Sequence, residues 1–169
     1  MPQNSFKIRP ARTSDIVAIQ AMRAPLVDSK VLLQHQLVSL YERTQEFVVA
    51  EHEDGRILAA GALHVMWGDL AEVRSLVVDT QARGMGLGKA IVEALIERAF
   101  SLGVSRVFCL TFEVEFFSRC GFEIISDVPV DEETFAQMVE SSDDGIAEFL
   151  DLARVKENTL GNSRMLRTL

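Results

Sequence analysis

The hydrophobic residues of this 169-residue chain recur with two different periods. Apolar positions three or four residues apart predict helices, whereas alternating or continuous apolar runs predict strands. Turn residues such as Pro, Gly and Asp separate the two kinds of segment. The pattern predicts strands at Phe6–Arg9, Phe47–Glu51, Ile57–Trp67, Leu70–Val78, Arg106–Phe112, Glu123–Ser126 and Ser163–Leu169, and helices at Ile16–Met22 (ended by Pro25), Val31–Arg43, Lys89–Leu102, Glu113–Phe122, Glu132–Glu140 and Ile146–Leu152.

The middle of the chain predicts the centre of a sheet. An Asp-Gly pair at positions 54–55 and a Gly-Asp pair at 68–69 separate three apolar runs, and such pairs are typical of hairpin turns. The three strands therefore form an antiparallel meander, with Gly61 marking a bulge or a close backbone approach in its middle strand. The helix Lys89–Leu102 has one apolar face, and the strand after it lacks alternation, as in a buried strand. The strands on either side of this helix are expected to be parallel neighbours.

Composition and charge narrow the class of protein. Apolar residues make up 48% and charged residues 25% of the chain, the usual mixture for a globular protein, and we expect a single domain over residues 1–169. No apolar run approaches the roughly 20 residues that span a bilayer, and the N-terminus lacks a signal-peptide core, which predicts a soluble cytoplasmic protein. The net charge of −8 argues against nucleic acid or an anionic membrane as partner.

The cysteine and histidine residues predict no metal site. Cys109 and Cys120 have neither CxxC nor His-paired spacing, so reduced thiols in or near the core are expected. His35, His52 and His64 are scattered, without the spacing of metal ligands.

Charge is unevenly distributed along the chain. Acidic residues are concentrated in Asp127–Asp151, a segment that could form an interface, a lid or a solvated face. In so acidic a chain, an anionic ligand needs a local concentration of positive charge. Arg83 and Lys89 provide one on either side of a glycine-rich turn, Gly84-Met85-Gly86-Leu87-Gly88, which ends a strand and opens a helix.

The glycine-rich turn predicts a pyrophosphate site. Its three glycines let backbone N–H groups converge on an anion, and the helix that follows adds unpaired amides and a partial positive charge. A nucleotide-triphosphate loop needs Ser or Thr after Gly-Lys, whereas Ala90 follows Lys89 here. A dinucleotide fingerprint needs glycines spaced as GxGxxG, whereas these are spaced as GxGxG. Neither of those nucleotide motifs fits.

The sequence RGMGLG after a strand ending in Val-Val-Asp, together with FFSRCGF at residues 116–122, resembles the coenzyme A-binding segments of the GNAT superfamily of N-acyltransferases. The resemblance implies an α/β (α+β) fold, with a mixed, mostly antiparallel sheet that splays at a central parallel strand pair and is flanked by helices. It also implies acetyl-CoA as co-substrate and no metal. The cofactor-binding residues that it implies are Leu76, Val77, Val78, Arg83, Gly84, Met85, Gly86, Leu87, Gly88, Lys89 and Phe117.

The same resemblance implies that Glu72 is catalytic, because it occupies the strand position where many GNAT enzymes carry a glutamate general base. An ion pair with Arg74 is the alternative role for Glu72. Phe117 stands where the family commonly has tyrosine, so protonation of the leaving thiolate by solvent or by Ser118 stays open. Strand alternation predicts two faces, one with Glu72, Arg74, Leu76 and Val78 and the other with Val73, Ser75 and Val77.

Over essentially its whole length the chain is similar to the short single-domain N-acetylglutamate synthases of bacteria, and its ending LGNSRMLRTL fits the actinobacterial branch. This resemblance implies acetylation of the α-amino group of L-glutamate, the first step of arginine biosynthesis. L-Glutamate carries two carboxylates, so its pocket needs at least two cations or helix N-termini. The resemblance implies Arg23 and Lys30, in the segment at the end of the first helix, as substrate-binding cations, and the strand face of Arg74 makes it a third candidate.

Other functions stay open at the level of the sequence. One is a GNAT enzyme that acetylates another small amine or a protein N-terminus. Another is an acyl-CoA-binding sensor without catalysis, which the phenylalanine at position 117 would permit. The choice of glutamate over glutamine or aspartate depends on where the cations lie. A homodimer is a further expectation, since dimers are common in the family.

Overall fold

The computed structural model describes residues 5–152 and 161–169. Its strands are β1 (Phe6–Pro10), β2 (Phe47–His52), β3 (Ile57–Trp67), β4 (Leu70–Val78), β5 (Arg106–Thr111), β6 (Glu123–Ile124) and β7 (Ser163–Thr168). Its helices are α1 (Ile16–Asp28), α2 (Leu37–Glu42), α3 (Leu87–Ser101), α4 (Val114–Arg119), α5 (Glu132–Met138) and α6 (Asp144–Phe149). The strands form one sheet in the order β1-β2-β3-β4-β5-β7-β6, and only the β4–β5 pair is parallel among those described.

Helices cover both faces of this sheet. On one face, α3 and α4 enclose a core that includes Ile91, Leu95 and Val107. On the opposite face, α1 and α2 cover one half of the sheet, and α5 and α6 cover the other half around Phe108 and Phe149. The expected mixed, mostly antiparallel sheet with flanking helices is confirmed. Within the described residues, the structure contains no helix with the length and apolarity needed to cross a membrane.

The predicted meander and the predicted parallel pair are both present. β2, β3 and β4 are consecutive antiparallel neighbours. β4 and β5 pair only where Leu70–Glu72 lies opposite Arg106–Phe108. Beyond Glu72 the two strands have no further register pairs, so the sheet opens at this point as expected. The edge of β4 after the opening faces a gap instead of a neighbouring strand.

Two predicted helix boundaries in the N-terminal part are wrong. α1 does not end at Pro25 but continues to Asp28. A proline lacks a backbone N–H, so near the end of a helix it removes one hydrogen bond without stopping the last turn. The second predicted helix is helical only at Leu37–Glu42. Residues 31–36 form an irregular segment instead, and several of them line the cavity described below.

A bulge in β4 overturns the predicted alternation of its side chains. Ala62 pairs with Arg74 and Ala60 pairs with Val77, so one residue of β3 lies opposite two residues of β4. The first of these two, Ser75, has a φ of 55°, in the left-handed region. Such a bulge shifts the pleat by one residue, and every later side chain changes face.

The bulge decides which residues of β4 share a face. Leu76 and Val78 pack with the α3 core and not, as predicted, on the face of Glu72 and Arg74. Ser75 joins Glu72 and Arg74 on the opposite face, where all three line one cavity. The strand therefore presents three polar side chains to one side directly at the opening of the sheet.

Gly61 accounts for the close packing of α3 on the sheet. A Cβ at this position would lie 2.6 Å from Cγ2 of Ile91 and 3.2 Å from Cδ1 of Leu95. The α3 side chains therefore rest directly on the β3 backbone. Gly61 also lies opposite the β4 bulge, so it marks both a bulge and a close approach.

Candidate active site

The turn between β4 and α3 has the backbone conformation of an anion-binding loop. Gly84 and Gly86 have φ values of 83° and 76°, which residues with side chains rarely adopt. Gly86 is the N-cap of α3, and its carbonyl accepts a hydrogen bond from the N–H of Ala90. The amides of residues 87–89 precede this first helical bond. They are therefore available to the oxygens of a phosphate.

The two cations of the turn are placed for the same ligand. Arg83 and Lys89 are both exposed. In the described part of the chain, neither forms a salt bridge. Their charges are therefore free to meet an anionic ligand at the start of α3.

The aromatic motif in α4 lies beside the turn, with its two phenylalanines in different positions. A Cβ at Gly88 would lie 3.2 Å from Cζ of Phe116, so this ring touches the turn. Phe117 is buried in the core and stacks edge-on with Phe116 and Phe122, at centroid distances of 5.1 and 5.3 Å. Phe116 is therefore a candidate cofactor contact that the sequence pattern did not single out, although the same motif contains it.

A cavity lies at the opening of the sheet, on the face opposite α3. Glu72 lines it, as do two of the three candidate cations, Arg23 and Arg74. The irregular segment 31–36 forms one wall, and the N-terminal turn of α6 forms another. Its lining residues include Arg23, Leu33, His35, Glu72, Arg74, Ser75, Leu110, Gly145, Glu148 and Asn162.

Lys30, the third candidate cation, does not line this cavity. It is exposed, with a φ of 60°, in the turn that follows α1. The carbonyl of Leu26 accepts hydrogen bonds from the N–H groups of Val31 and Leu32 and closes this turn. This closure directs the residues after Lys30 inward and leaves Lys30 on the outside. The chain reverses later than predicted because α1 continues past Pro25.

Arg23 is a buried cation with neutral hydrogen-bond partners. Its guanidinium donates to the hydroxyl oxygen of Ser75 at 3.1 Å and to the carbonyl oxygen of Leu33 at 2.8 Å. Its Nη2 also lies 3.2 Å from Nδ1 of His35. Only 2% of the residue is exposed. Among the described residues, no carboxylate is within salt-bridge distance of it.

The surroundings of Arg23 disfavour its positive charge. Burial, followed by the charges of Arg43 and Arg74, lowers the pKa of Arg23 to about 10. Burial, followed by the charge of Arg23, lowers the pKa of His35 to about 4, so the imidazole is neutral and its Nδ1 accepts the hydrogen bond. A buried cation without a counter-ion is unfavourable, so this part of the cavity is suited to an anion such as a carboxylate.

Glu72, Arg74 and Asp143 form a buried ion-pair cluster on another side of the cavity. Nη2 of Arg74 lies 2.6 Å from Oε2 of Glu72 and 2.8 Å from Oδ1 of Asp143. Nη1 of Arg74 donates to Oδ2 of Asp143 at 2.9 Å. No side chain of the three is more than 9% exposed. The ion pair that was the alternative role for Glu72 is therefore present, and Glu72 lines the cavity as well.

Arg74 and Asp143 stabilise each other's charged forms. Burial by itself would raise the pKa of Asp143, but the hydrogen bonds and the charge of Arg74 hold it well below its usual range. Burial would lower the pKa of Arg74, but Glu72 and Asp143 together raise it above its usual value. Asp143 lies in the acidic segment and precedes a short apolar helix, as an N-cap residue does. That signal predicts a helix start and says nothing about Arg74.

The described residues offer neither a reactive thiol nor a metal-binding cluster for this chemistry. Cys109 and Cys120 are free and buried, and burial raises the pKa of both thiols. Neither is therefore a nucleophile at neutral pH. Across residues 5–152 and 161–169, no group of three or more His, Cys, Asp or Glu side chains could hold a metal ion.

The fold and the glycine-rich turn define a class of enzyme. Residues 18–122 match the model of the acetyltransferase (GNAT) family, which is more than half of the chain. The chain belongs to the GNAT family, and it is an acyltransferase of the kind that uses acetyl-CoA.

Individual relatives narrow this class. An amino-acid acetyltransferase of Mycobacterium tuberculosis is 53% identical over 167 residues, which are 96% of this chain and 94% of the relative. A crystal structure of a Mycobacterium tuberculosis protein with CoA and an N-acetyl ligand has a TM-score of 0.93 and 52% identity, over 96% of this chain and 99% of that one. The N-acetylglutamate synthase of Neisseria gonorrhoeae, crystallised with coenzyme A and N-acetyl-glutamate, has a TM-score of 0.78 and 26% identity, over 98% of this chain and 35% of that one.

Proposed function

We propose that the protein transfers the acetyl group of acetyl-CoA to the α-amino group of L-glutamate, as the first step of arginine biosynthesis. The observation that carries the proposal is Arg23: a buried guanidinium with neutral partners lies in the same cavity as Glu72, at the opening of the sheet. The relatives described above carry names and ligands that support an amino-acid substrate.

Acetyl-CoA would bind across the opening between β4 and β5. The amides at the start of α3, with Arg83 and Lys89, would hold the pyrophosphate. The unpaired edge of β4 at Leu76, Val77 and Val78 would hold the pantetheine and the thioester carbonyl. Phe116, backed by the buried ring of Phe117, would form the apolar wall beside the turn.

L-Glutamate would enter the cavity on the other side of the opening. Arg23 would bind a carboxylate through a charge-assisted hydrogen bond. Arg74 is assigned no direct contact with the carboxylate, since Glu72 and Asp143 occupy its donors. Lys30 is assigned no contact here because it is exposed outside the cavity.

Glu72 would act as the general base. It would accept a proton from the ammonium group of the substrate, directly or through one water, and the free amine would attack the thioester carbonyl. Backbone amides of β4 would stabilise the oxyanion of the tetrahedral intermediate. The intermediate would release the CoA thiolate and N-acetyl-L-glutamate. Phe117 has no hydroxyl group, and Ser118 is exposed, so solvent is the proton source for the thiolate.

Steady-state kinetics with a panel of amino acids test the assignment. We expect turnover with glutamate well above that with glutamine, aspartate or other amines. Arg23→Ala should raise the KM for glutamate by about 30-fold or more, as expected when one partner of a buried charged contact is removed. Glu72→Gln should lower kcat by about 100-fold or more, the contribution typical of a general base.

The matched control for Arg23→Ala is Arg56→Ala, which removes an exposed arginine far from the cavity and should leave both constants unchanged. If acetyl-CoA binds but no amino acid is acetylated, the proposal is wrong. Acetylation of peptides or other amines would then indicate a different GNAT substrate, and the absence of any turnover would indicate a sensor.

Two broader expectations accompany this function. We propose that the enzyme acts in the cytoplasm, where acetyl-CoA and glutamate are both present, and that it forms a homodimer. Sedimentation velocity at several protein concentrations tests the homodimer, since the molar mass fitted for a dimer is about twice that of the monomer.

A further inference from the structure

The N-terminal turn of α6 contacts the proposed catalytic carboxylate through one arginine. Arg74 lies between Glu72 and Asp143 and donates hydrogen bonds to both. We propose that Asp143 is a positioning residue: it holds the Arg74 guanidinium in place, and Arg74 in turn fixes the orientation of the Glu72 carboxylate. This inference rests on the proposed function, in which Glu72 is the general base.

The geometry assigns one side of the guanidinium to each carboxylate. Nε and Nη2 of Arg74 donate to Oε2 of Glu72 at 3.1 and 2.6 Å. Nη1 and Nη2 donate to Oδ2 and Oδ1 of Asp143 at 2.9 and 2.8 Å. A planar guanidinium that donates two hydrogen bonds to each of two carboxylates is fixed far better than one with a single partner, because rotation about the Arg74 side chain would break both contacts.

The contacts to Glu72 use only one of its oxygens. Arg74 engages Oε2 through both of its hydrogen bonds. This arrangement leaves Oε1 as the oxygen that can accept a proton from the substrate. A small rotation of the carboxylate would move Oε1, and a displacement of about 1 Å can lower an enzymatic rate by about 100-fold.

Asp143 is itself held firmly. Its Oδ1 accepts a hydrogen bond at 2.9 Å from the N–H of Ile146, which makes it the N-cap of α6. Its Oδ2 lies 3.1 Å from Nη2 of Arg43. At the other end of α6, Arg164 of β7 donates to the carbonyl oxygens of Glu148 and Phe149. Residues from α6, β7 and the end of α2 thus combine to present Asp143 to Arg74.

Gly145 permits this arrangement. A Cβ at position 145 would overlap Nη2 of Arg74 and would lie 2.7 Å from Cζ of Arg74 and 2.8 Å from Oε2 of Glu72. Only a residue without a side chain lets the α6 backbone rest on the ion pair. The acidic segment therefore contacts Arg74 through Asp143, and its backbone at Gly145 covers the cluster from solvent.

The test is Asp143→Asn in the full-length enzyme. Asparagine caps a helix as well as aspartate does, so α6 is retained while the negative charge is removed. We expect kcat to fall by about 10- to 100-fold, with the KM for acetyl-CoA unchanged. The matched control is Asp144→Asn, which makes the same charge change at the next residue, where the side chain is exposed; it should behave as the wild type.

A double-mutant cycle separates positioning from a general structural role. If Asp143 acts through Glu72, then Asp143→Asn should lower kcat in the wild type but not further in Glu72→Gln. An equal loss of kcat in both backgrounds would overturn the inference, and so would Asp143→Asn kinetics that match those of Asp144→Asn. If Glu72→Gln itself keeps the wild-type kcat, the general-base role is overturned, and the positioning role with it.

Circular dichroism and thermal unfolding establish that each variant is folded. Should Asp143→Asn unfold, Arg74→Lys tests the same contact, because an ammonium group cannot donate two hydrogen bonds to each of two carboxylates at once. It should lower kcat in the wild type and leave kcat unchanged in Glu72→Gln. Additive losses from Arg74→Lys and Glu72→Gln would overturn the inference.

Discussion

At the scale of single residues, Arg23 has the clearest consequence for function. A buried guanidinium with only neutral partners keeps most of its charge uncompensated. Ser75, Leu33 and His35 orient the group without neutralising it. Such a site is complementary to a ligand carboxylate, which would supply the missing counter-charge. Binding of the proposed substrate would therefore offset the cost of burying this charge.

His35 makes the stability of this site depend on pH. The pKa of His35 falls from 6.5 to about 4 in the folded protein, first because of burial and then because of Arg23. Between these pH values the unfolded chain binds more protons than the folded one, so acidification destabilises the protein. We expect His35→Asn, which does not titrate, to lose less free energy of unfolding than the wild type between pH 6.5 and 4.

Urea unfolding at pH 7.5, 6.5, 5.5 and 4.5 measures this difference. The wild type should lose its advantage over His35→Asn progressively below pH 6.5, and the difference between the two proteins should be constant above pH 7. A difference in free energy of unfolding that does not change with pH would contradict the assignment of a neutral His35.

At the scale of secondary-structure elements, β4 organises the site. Its bulge brings Ser75 to the face of Glu72 and Arg74, and its divergence from β5 after Glu72 opens the sheet beside them. The bulge lies directly across from Gly61 of β3, on which α3 packs. The same short region therefore fixes the face of Glu72, the proposed general base, and the position of the helix that begins at the glycine-rich turn.

Gly61→Ala should destabilise the protein by about 1–3 kcal/mol, as overpacking of a core does. The new methyl group would lie 2.6 Å from Cγ2 of Ile91, so α3 would have to move away from β3. Because α3 carries the glycine-rich turn at its start, the KM for acetyl-CoA should rise as well. Chemical denaturation and steady-state kinetics measure the two effects.

Gly68→Ala is the matched control for that substitution. Gly68 has no atom within 4 Å of the position that its Cβ would take, so the free energy of unfolding should change little. Equal stability of the two variants would show that α3 does not depend on Gly61 for its position.

At the scale of the whole molecule, the two faces of the sheet differ in character. The face under α3 and α4 is an apolar core. The opposite face carries the cavity with its buried charges between α1 and α6. The gap between β4 and β5 lies between these two faces. A cofactor bound in that gap would contact both strands, which are not paired with each other beyond Glu72.

Binding of acetyl-CoA should therefore stabilise the entire fold. A ligand at 100 times its Kd adds about 2.7 kcal/mol to the free energy of unfolding. Arg83→Ala removes one exposed charge from the turn and should raise the Kd by about 3- to 10-fold, which lowers the stabilisation at the same ligand concentration. Thermal unfolding with and without acetyl-CoA measures the stabilisation of the wild type by the ligand and its reduction in Arg83→Ala.

Arg56→Ala is the control here too, because it makes the same change of net charge at an exposed arginine whose ion-pair partner is Asp54. A ligand-induced rise in Tm that is the same for Arg83→Ala and the wild type would exclude a contact between Arg83 and the cofactor.

The sequence by itself determined the order of the elements, the meander, the parallel pair and the glycine-rich turn. These features depend on interactions between residues close in the chain: hydrophobic periodicity, turn chemistry and the freedom of glycine at positive φ. The turn has the expected left-handed glycines at 84 and 86, and α3 begins within two residues of the predicted start.

The tertiary structure alone decided the details of the site. Ser75 changes face because of a bulge against β3, Arg23 is buried because segment 31–36 folds over it, and Lys30 remains outside because α1 continues past Pro25. Asp143 meets Arg74 across 69 positions of sequence. Local patterns carry no information about such pairings, since two charges so far apart meet only when packing of the elements between them has fixed both positions.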